Sequence, residues 1–262
     1  MEMRDMRQWL ASLIVALQFL TRLPIPVRVD YNKHHVSRSL LFYPLSGAVI
    51  GAIVSLAAAL LPHEAAPLSA AVLLLAWAML TGGLHLDGLM DTADGIGSHR
   101  PREQMLEIMK DSRVGAMGVL AAIFVLLLKW ASLWTLLTRL DHRPLPESAW
   151  FGILLTIPAL SRWLMAAAII RLPYLRGEQG MGALFREARP RYLCGALMLL
   201  LIPLFLWHSA DWLWISLAQI AAGGLFAGYF VRKLGGLTGD TYGALNELVE
   251  TAGLLAAAYL MV

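Results

Sequence analysis

Apolar residues fall into long uncharged runs separated by short polar connections. The run Leu40–Leu61, LLFYPLSGAVIGAIVSLAAALL, carries no charge and supplies the roughly 20 residues that a hydrocarbon core requires. Further runs occupy about 68–84, 114–138, 149–170, 192–207, 213–231 and 248–262, so about seven spanning helices are expected. Trp9–Leu20 is shorter and suits an N-terminal interfacial or re-entrant helix. Arg4 and Arg7 precede it as in a signal peptide, but Thr21-Arg22-Leu23-Pro24-Ile25-Pro26 offers no small-residue cleavage site. The expected fold is all-α, a polytopic membrane helix bundle forming one integral-membrane domain over 1–262.

Composition strengthens that reading. Hydrophobic residues make up 58% of the 262 and charged residues 15%, against the roughly 25% charged of soluble domains. The net charge of +3 belongs to topology, since no basic run with interleaved aromatics points to nucleic acid. Cys194 is the single cysteine, which excludes an internal disulfide and a cysteine metal cluster.

Lys and Arg gather in four connections: Arg28, Lys33 and Arg38; Arg100, Arg102, Lys110 and Arg113; Arg171, Arg176, Arg186, Arg189 and Arg191; Arg232 and Lys233. The positive-inside rule makes these cytoplasmic, while 62–67 and 208–212, free of Lys and Arg, belong to the opposite face. The connection 139–148 fits less cleanly, with Arg139 and Arg143 beside Asp141 and Glu147. Segments 85–113 and 232–247 then share one side.

Those two segments hold the chemistry. In Gly82-Gly83-Leu84-His85-Leu86-Asp87-Gly88-Leu89-Met90-Asp91-Thr92-Ala93-Asp94-Gly95, helical spacing puts Asp87, Asp91 and Asp94 on one stripe and turns His85 away from it. Three aligned carboxylates at the end of an apolar helix call for a cation, and all-oxygen ligands favour Mg²⁺, Mn²⁺ or Ca²⁺ over zinc. Against this, acids also simply solvate helix ends. Lys110 and Arg113 read either as a positive-inside flank or as a phosphate clamp, with Arg22 a weaker clamp candidate. Asp240, Glu247 and Glu250 follow Gly235-Gly236, whose backbone can approach a phosphate closely. Within the apolar runs, Lys129 lies nearer one end, where it can snorkel, and Arg162 lies deeper as an interior anion partner.

The segments FLTRLPIP (19–26), GGLHLDGLMDTADG (82–95), KDSRVGAMG (110–118) and GGLTGDTYGALNELVE (235–250) together resemble the cobalamin synthase, or adenosylcobinamide-GDP ribazoletransferase, family along nearly the whole chain. The resemblance implies that α-ribazole, or its 5′-phosphate, displaces GMP from adenosylcobinamide-GDP in a Mg²⁺-dependent step at the cytoplasmic face of a bacterial inner membrane. Asp87, Asp91, Asp94, Asp240 and Glu247 are the metal ligands it implies, Asp91 and Asp94 being catalytic. Lys110, Arg113, Arg22 and Arg162 are the phosphate-holding residues. Membrane lipid surrounds the helices, a homo-oligomer is compatible, and nucleic acid has no part.

Two other readings use the same features. Asp91-Thr92-Ala93-Asp94-Gly95 starts the pattern of CDP-alcohol phosphotransferases, but Ser98-His99 departs from it. A secondary transporter would also have many spans and an internal Arg, yet places its ionisable ligands near the midplane rather than at one surface. Finally, Gly82-Gly83 with Asp87 and Asp94 matches Gly235-Gly236 with Asp240 and Glu247 in register. A parallel pseudo-repeat over 39–95 and 192–250 follows, in which Asp94 and Glu247 approach one cation from opposite sides.

Overall fold

A computed structural model describes residues 2–140, 147–177, 180–206 and 210–260. Every regular element is helical: α1 Glu2–Leu20, α2 Lys33–Ser39, α3 Tyr43–Leu60, α4 Ala66–Thr81, α5 Leu84–Gly97, α6 Arg102–Ile108, α7 Ala116–Leu140, α8 Glu147–Arg171, α9 Pro190–Leu206, α10 Ala210–Leu234 and α11 Gly239–Leu260. Among the described residues, five stretches are long and apolar enough to cross a membrane: Lys33–Leu60, His63–Thr81, Ala116–Arg139, Phe151–Arg171 and Asp211–Leu234. Met6–Leu20 and Pro190–Leu200 are shorter apolar helices. The expected run at 248–262 is the far part of α11, a helix that also contains Asp240, Glu247 and Glu250. The Lys/Arg-free connection 62–67 is described, whereas 141–146 of the 139–148 connection and 207–209 of the 208–212 connection lie outside the described residues.

α7 serves as a ruler for depth. Ala66, Ala70, Leu73 and Trp77 of α4 pack in one cluster with Leu133, Leu136 and Leu137, while Gly97 of α5 meets Met117 at the other end of α7. α4 and α5 therefore follow one line, antiparallel to α7. Gly82 and Gly83, at φ 64° and 70°, interrupt it, and their amides cap Met79 and Ala78. Two successive left-handed residues suit glycine alone, because a Cβ would clash with its own backbone there. Since Met117, Leu120, Phe124 and Leu127 point outward beside α5, this acidic half-helix lies at the depth of α7's apolar face. The expected span at 68–84 falls within and just beyond His63–Thr81, which is long and apolar enough to cross, and the glycine pair sets α5 off beyond its end.

α11 runs parallel to α7, with Leu254, Ala257 and Ala258 in the same cluster as Leu133 and Leu137. It crosses α5 in the opposite sense. Gly88 abuts the backbone of Asp240, and Gly243 abuts His85, so neither position has room for a side chain. Elsewhere the bundle closes in the same way, Gly47 and Gly51 of α3 lying against the α8 backbone at Pro158 and Leu154. Leu175 donates to the Leu237 carbonyl at 2.9 Å and Leu237 to that of Pro173 at 2.8 Å, tying the segment after α8 to the turn before α11.

Candidate functional site

The α5–α11 crossing brings the two acidic segments together at Asp87 and Asp240. Both border a cavity of about 230 Å³ whose other walls include His85, Tyr43, Phe185, Met165 and Arg176. Arg176 reaches Asp240 Oδ2 at 2.6 Å, and the Thr238 hydroxyl donates to the same oxygen at 3.2 Å. Tyr174 and Tyr242 stack beside them, with centroids 6.5 Å apart and planes 11° from parallel. On the other flank, Asp87 also borders an open groove of about 360 Å³ shared with Arg22, Gly82 and Met90. The Arg22 amide is fixed by a 2.7 Å bond to the Leu80 carbonyl, so its side chain lies across Gly82 at the helix break. Asp87 thus stands on the ridge between an aromatic-walled cavity and a groove carrying a cationic side chain.

Among the described residues, Asp87 and Asp91 have no hydrogen-bond or ion-pair partner. Two unpaired carboxylates facing a third, Asp240, leave negative charge uncompensated, which is what a cation would relieve. No three acidic, His or Cys side chains among the described residues converge on one point. That arrangement fits Mg²⁺, which is usually held by one or two carboxylates with water and substrate phosphates rather than by an all-protein cage.

Asp94 has a different task. Its two oxygens accept from the amides of Gly115 and Gly118 at 2.7 and 2.8 Å, so it caps the start of α7 from a neighbouring helix. The carboxylate meets the positive end of the α7 dipole and satisfies donors that no intrahelical carbonyl can reach. Both oxygens of Asp94, expected as a metal ligand, are engaged by these amides in the structure. Asp94→Ala should destabilise the protein by roughly 2 kcal/mol in thermal unfolding in detergent, with an unchanged Mg²⁺ requirement in the folded fraction. A shifted Mg²⁺ requirement at unchanged stability would restore it to the metal site.

Glu247 and Arg162 are also placed elsewhere. Lys129 donates to Glu247 at 2.6 Å and to Glu250 at 2.7 Å, and Arg162 pairs with the other oxygen of Glu250, all of them buried. Lys129 does not snorkel, since carboxylates on α11 hold it inside the bundle. Glu247 is occupied by that ammonium, and Arg162 touches neither the cavity nor the groove. The shared cation between Asp94 and Glu247 fails with them: α5 and α11 are antiparallel, so residues beyond the Asp87–Asp240 crossing diverge.

Lys110 pairs with Glu107 at 2.7 Å and Arg113 with Asp111 at 2.6 Å on the exposed surface, outside the cavity. The Arg113 side chain and amide hold the Asp111 carboxyl at about 2, so that pair stays ionised at neutral pH. Arg176 went unremarked as a site residue because its connection looks like any positive-inside flank; only the pairing with Leu237 carries it to Asp240.

A model of the cobalamin-5-phosphate synthase family matches residues 12–258. Among curated relatives, the adenosylcobinamide-GDP ribazoletransferase of Desulfitobacterium hafniense (strain Y51) is 43% identical, covering 94% of this chain and 96% of its own. That of Pseudomonas putida (strain GB-1) is 40% identical over 94% and 97%, and that of Roseiflexus sp. (strain RS-1) 39% over 96% and 91%. No solved structure matches.

Proposed function

The chain belongs to the cobalamin-5-phosphate synthase family, and from that premise we propose that this enzyme joins adenosylcobinamide-GDP to α-ribazole or its 5′-phosphate, releasing GMP. The observation that carries the assignment to this site is the meeting of Asp87 and Asp240, with Asp91 in electrostatic reach of both, between an aromatic-walled cavity and the Arg22 groove.

The reaction is an in-line displacement. A ribose hydroxyl oxygen bonds to the phosphorus on the cobinamide side as the P–O bond to GMP breaks, and the hydroxyl proton passes to an unpaired carboxylate, Asp87 or Asp91. Asp87 and Asp240, with Asp91 beside them, would hold Mg²⁺ together with substrate phosphate, and the ion would neutralise the phosphate oxygens where charge develops. Arg22 holds a phosphate in the groove, while Arg176 orients Asp240 and sets how much of its charge faces the cavity. Lys110 and Arg113, exposed and paired with Glu107 and Asp111, have no part in the site as it stands.

The site is read as facing the cytoplasm of a bacterial inner membrane. Arg100, Arg102, Arg171 and Arg176 lie at its end of the bundle, and 62–67 lies at the other. Purified protein in detergent, given the two substrates and Mg²⁺, is expected to yield GMP and a cobalamin by mass, and none after chelation. In a Cys194→Ser background, single cysteines in 85–113 and 232–247 should react with an impermeant thiol reagent from one side only. Product formed equally without divalent metal, or opposite-sided labelling, would overturn the respective part.

A further inference from the structure

His85 sits at the α5–α11 crossing, 3% exposed, on the wall of the 230 Å³ cavity. Its Nδ1 lies 3.1 Å from the Asn246 amide nitrogen, and the same nitrogen donates to Glu250 Oε1 at 3.2 Å. The reverse orientation of Asn246 would set its carbonyl oxygen against the Glu250 carboxylate, so the nitrogen belongs there. Asn246 therefore donates to His85, Nδ1 must carry a lone pair, and the ring proton of the neutral imidazole is on Nε2. Glu250, which orients Asn246, is itself held by Lys129 and Arg162. Nε2 has no partner among the described residues and is not sealed off, so its N–H opens into the cavity. In this state the ring offers the cavity one hydrogen-bond donor and no acceptor, since the Nδ1 lone pair faces Asn246.

The cavity around that donor is otherwise largely apolar on its inner side: Phe19, Tyr43, Met165, Ile169 and Phe185. The Tyr43 hydroxyl is itself buried away from accessible space. A cavity of about 230 Å³ has room for a bicyclic ring. Guanine would fit by size, but its amide edge would find donors and acceptors only at the Asp87, Asp240 and Arg176 rim, whereas the inner wall offers a single donor. A benzimidazole has an apolar rim and a single bare ring nitrogen, matching one donor among apolar walls.

Resting on the proposed reaction, we propose that this cavity takes the heteroaromatic ring of the ribazole substrate and that His85 Nε2–H donates to its unsubstituted ring nitrogen, with Asn246 as the positioning residue. The ribose then lies toward Asp87 and Asp240, where the phosphate chemistry is placed. His85 selects bases that carry a ring-nitrogen acceptor.

The test compares two α-ribosides of nearly the same shape, benzimidazole and indole, the second replacing the acceptor nitrogen by C–H. Wild-type protein is expected to favour the benzimidazole riboside by at least about tenfold in kcat/KM. His85→Leu should bring that ratio to within about threefold of one, while His85→Gln, which keeps an N–H donor, should retain most of the preference. Equal use of both ribosides by wild type overturns the proposal without any variant, as does a Leu variant that keeps the wild-type ratio. Wild type that makes no cobalamin from either riboside instead overturns the reaction itself.

Discussion

Asp87→Asn is expected to lower kcat/KM by on the order of 10²–10³-fold while leaving unfolding in detergent nearly unchanged. The two effects separate because of where this carboxylate stands. It is exposed and without a protein partner among the described residues, so amidation breaks no bond within the fold. Removing its charge relieves repulsion with Asp91 and Asp240, which favours the folded state by a few tenths of a kcal/mol if anything. Its charge matters only when a cation and phosphate oxygens occupy the ridge between cavity and groove. The Mg²⁺ concentration for half-activation should rise in the variant, and excess Mg²⁺ should restore part of the rate. Near-normal turnover at limiting Mg²⁺ would remove Asp87 from the site, and a large fall in unfolding temperature would show a structural role instead. Asp94→Ala is the contrast: from the same helical stripe, its effect falls mainly on stability.

The stripe shows what sequence can and cannot carry. Apolar runs located the helices, because a hydrocarbon solvent tolerates few other solutions, and the acid-rich segments 85–113 and 232–247 did come to one end of the bundle. Helical spacing correctly put Asp87, Asp91 and Asp94 on one helix, yet spacing says nothing about partners. Asp94 was claimed by the Gly115 and Gly118 amides, donors that every helix start exposes whatever its side chains. The matched registers of Gly82-Gly83 and Gly235-Gly236 pointed to Asp94 and Glu247 as the pair that meets; the acids that do meet are Asp87 and Asp240, because the direction of crossing is a tertiary fact, and it separates Asp94 from Glu247. Lys129 against Glu247 and Glu250 was within reach of the sequence. An apolar helix with a lone ammonium and another with two carboxylates have a strong electrostatic reason to pair where water is scarce.

That pairing underlies the largest expected change in stability. Lys129→Met should destabilise the protein by about 3–5 kcal/mol, because it strips the counter-ion from a buried carboxylate. In the native bundle two cations, Lys129 and Arg162, face two anions, Glu247 and Glu250. Deleting Lys129 leaves Glu250 with Arg162 but leaves Glu247 charged and alone, joined to α7 by nothing. The cost arises from the stranded charge more than from the lost bond, so it should be reversible by chemistry rather than by restoring the salt bridge. Lys129→Met with Glu247→Gln makes the cluster neutral again at similar volume and is expected to recover more than half of the loss in thermal unfolding. A double variant no more stable than the single one would show that the contact itself, not charge balance, holds α7 to α11. The double variant also retains the chain from Arg162 through Glu250 and Asn246 to His85. Its preference for the benzimidazole riboside should therefore stay close to wild type even where its stability does not. Loss of that preference in a folded double variant would mean that Lys129, and not Arg162, fixes the orientation of Glu250.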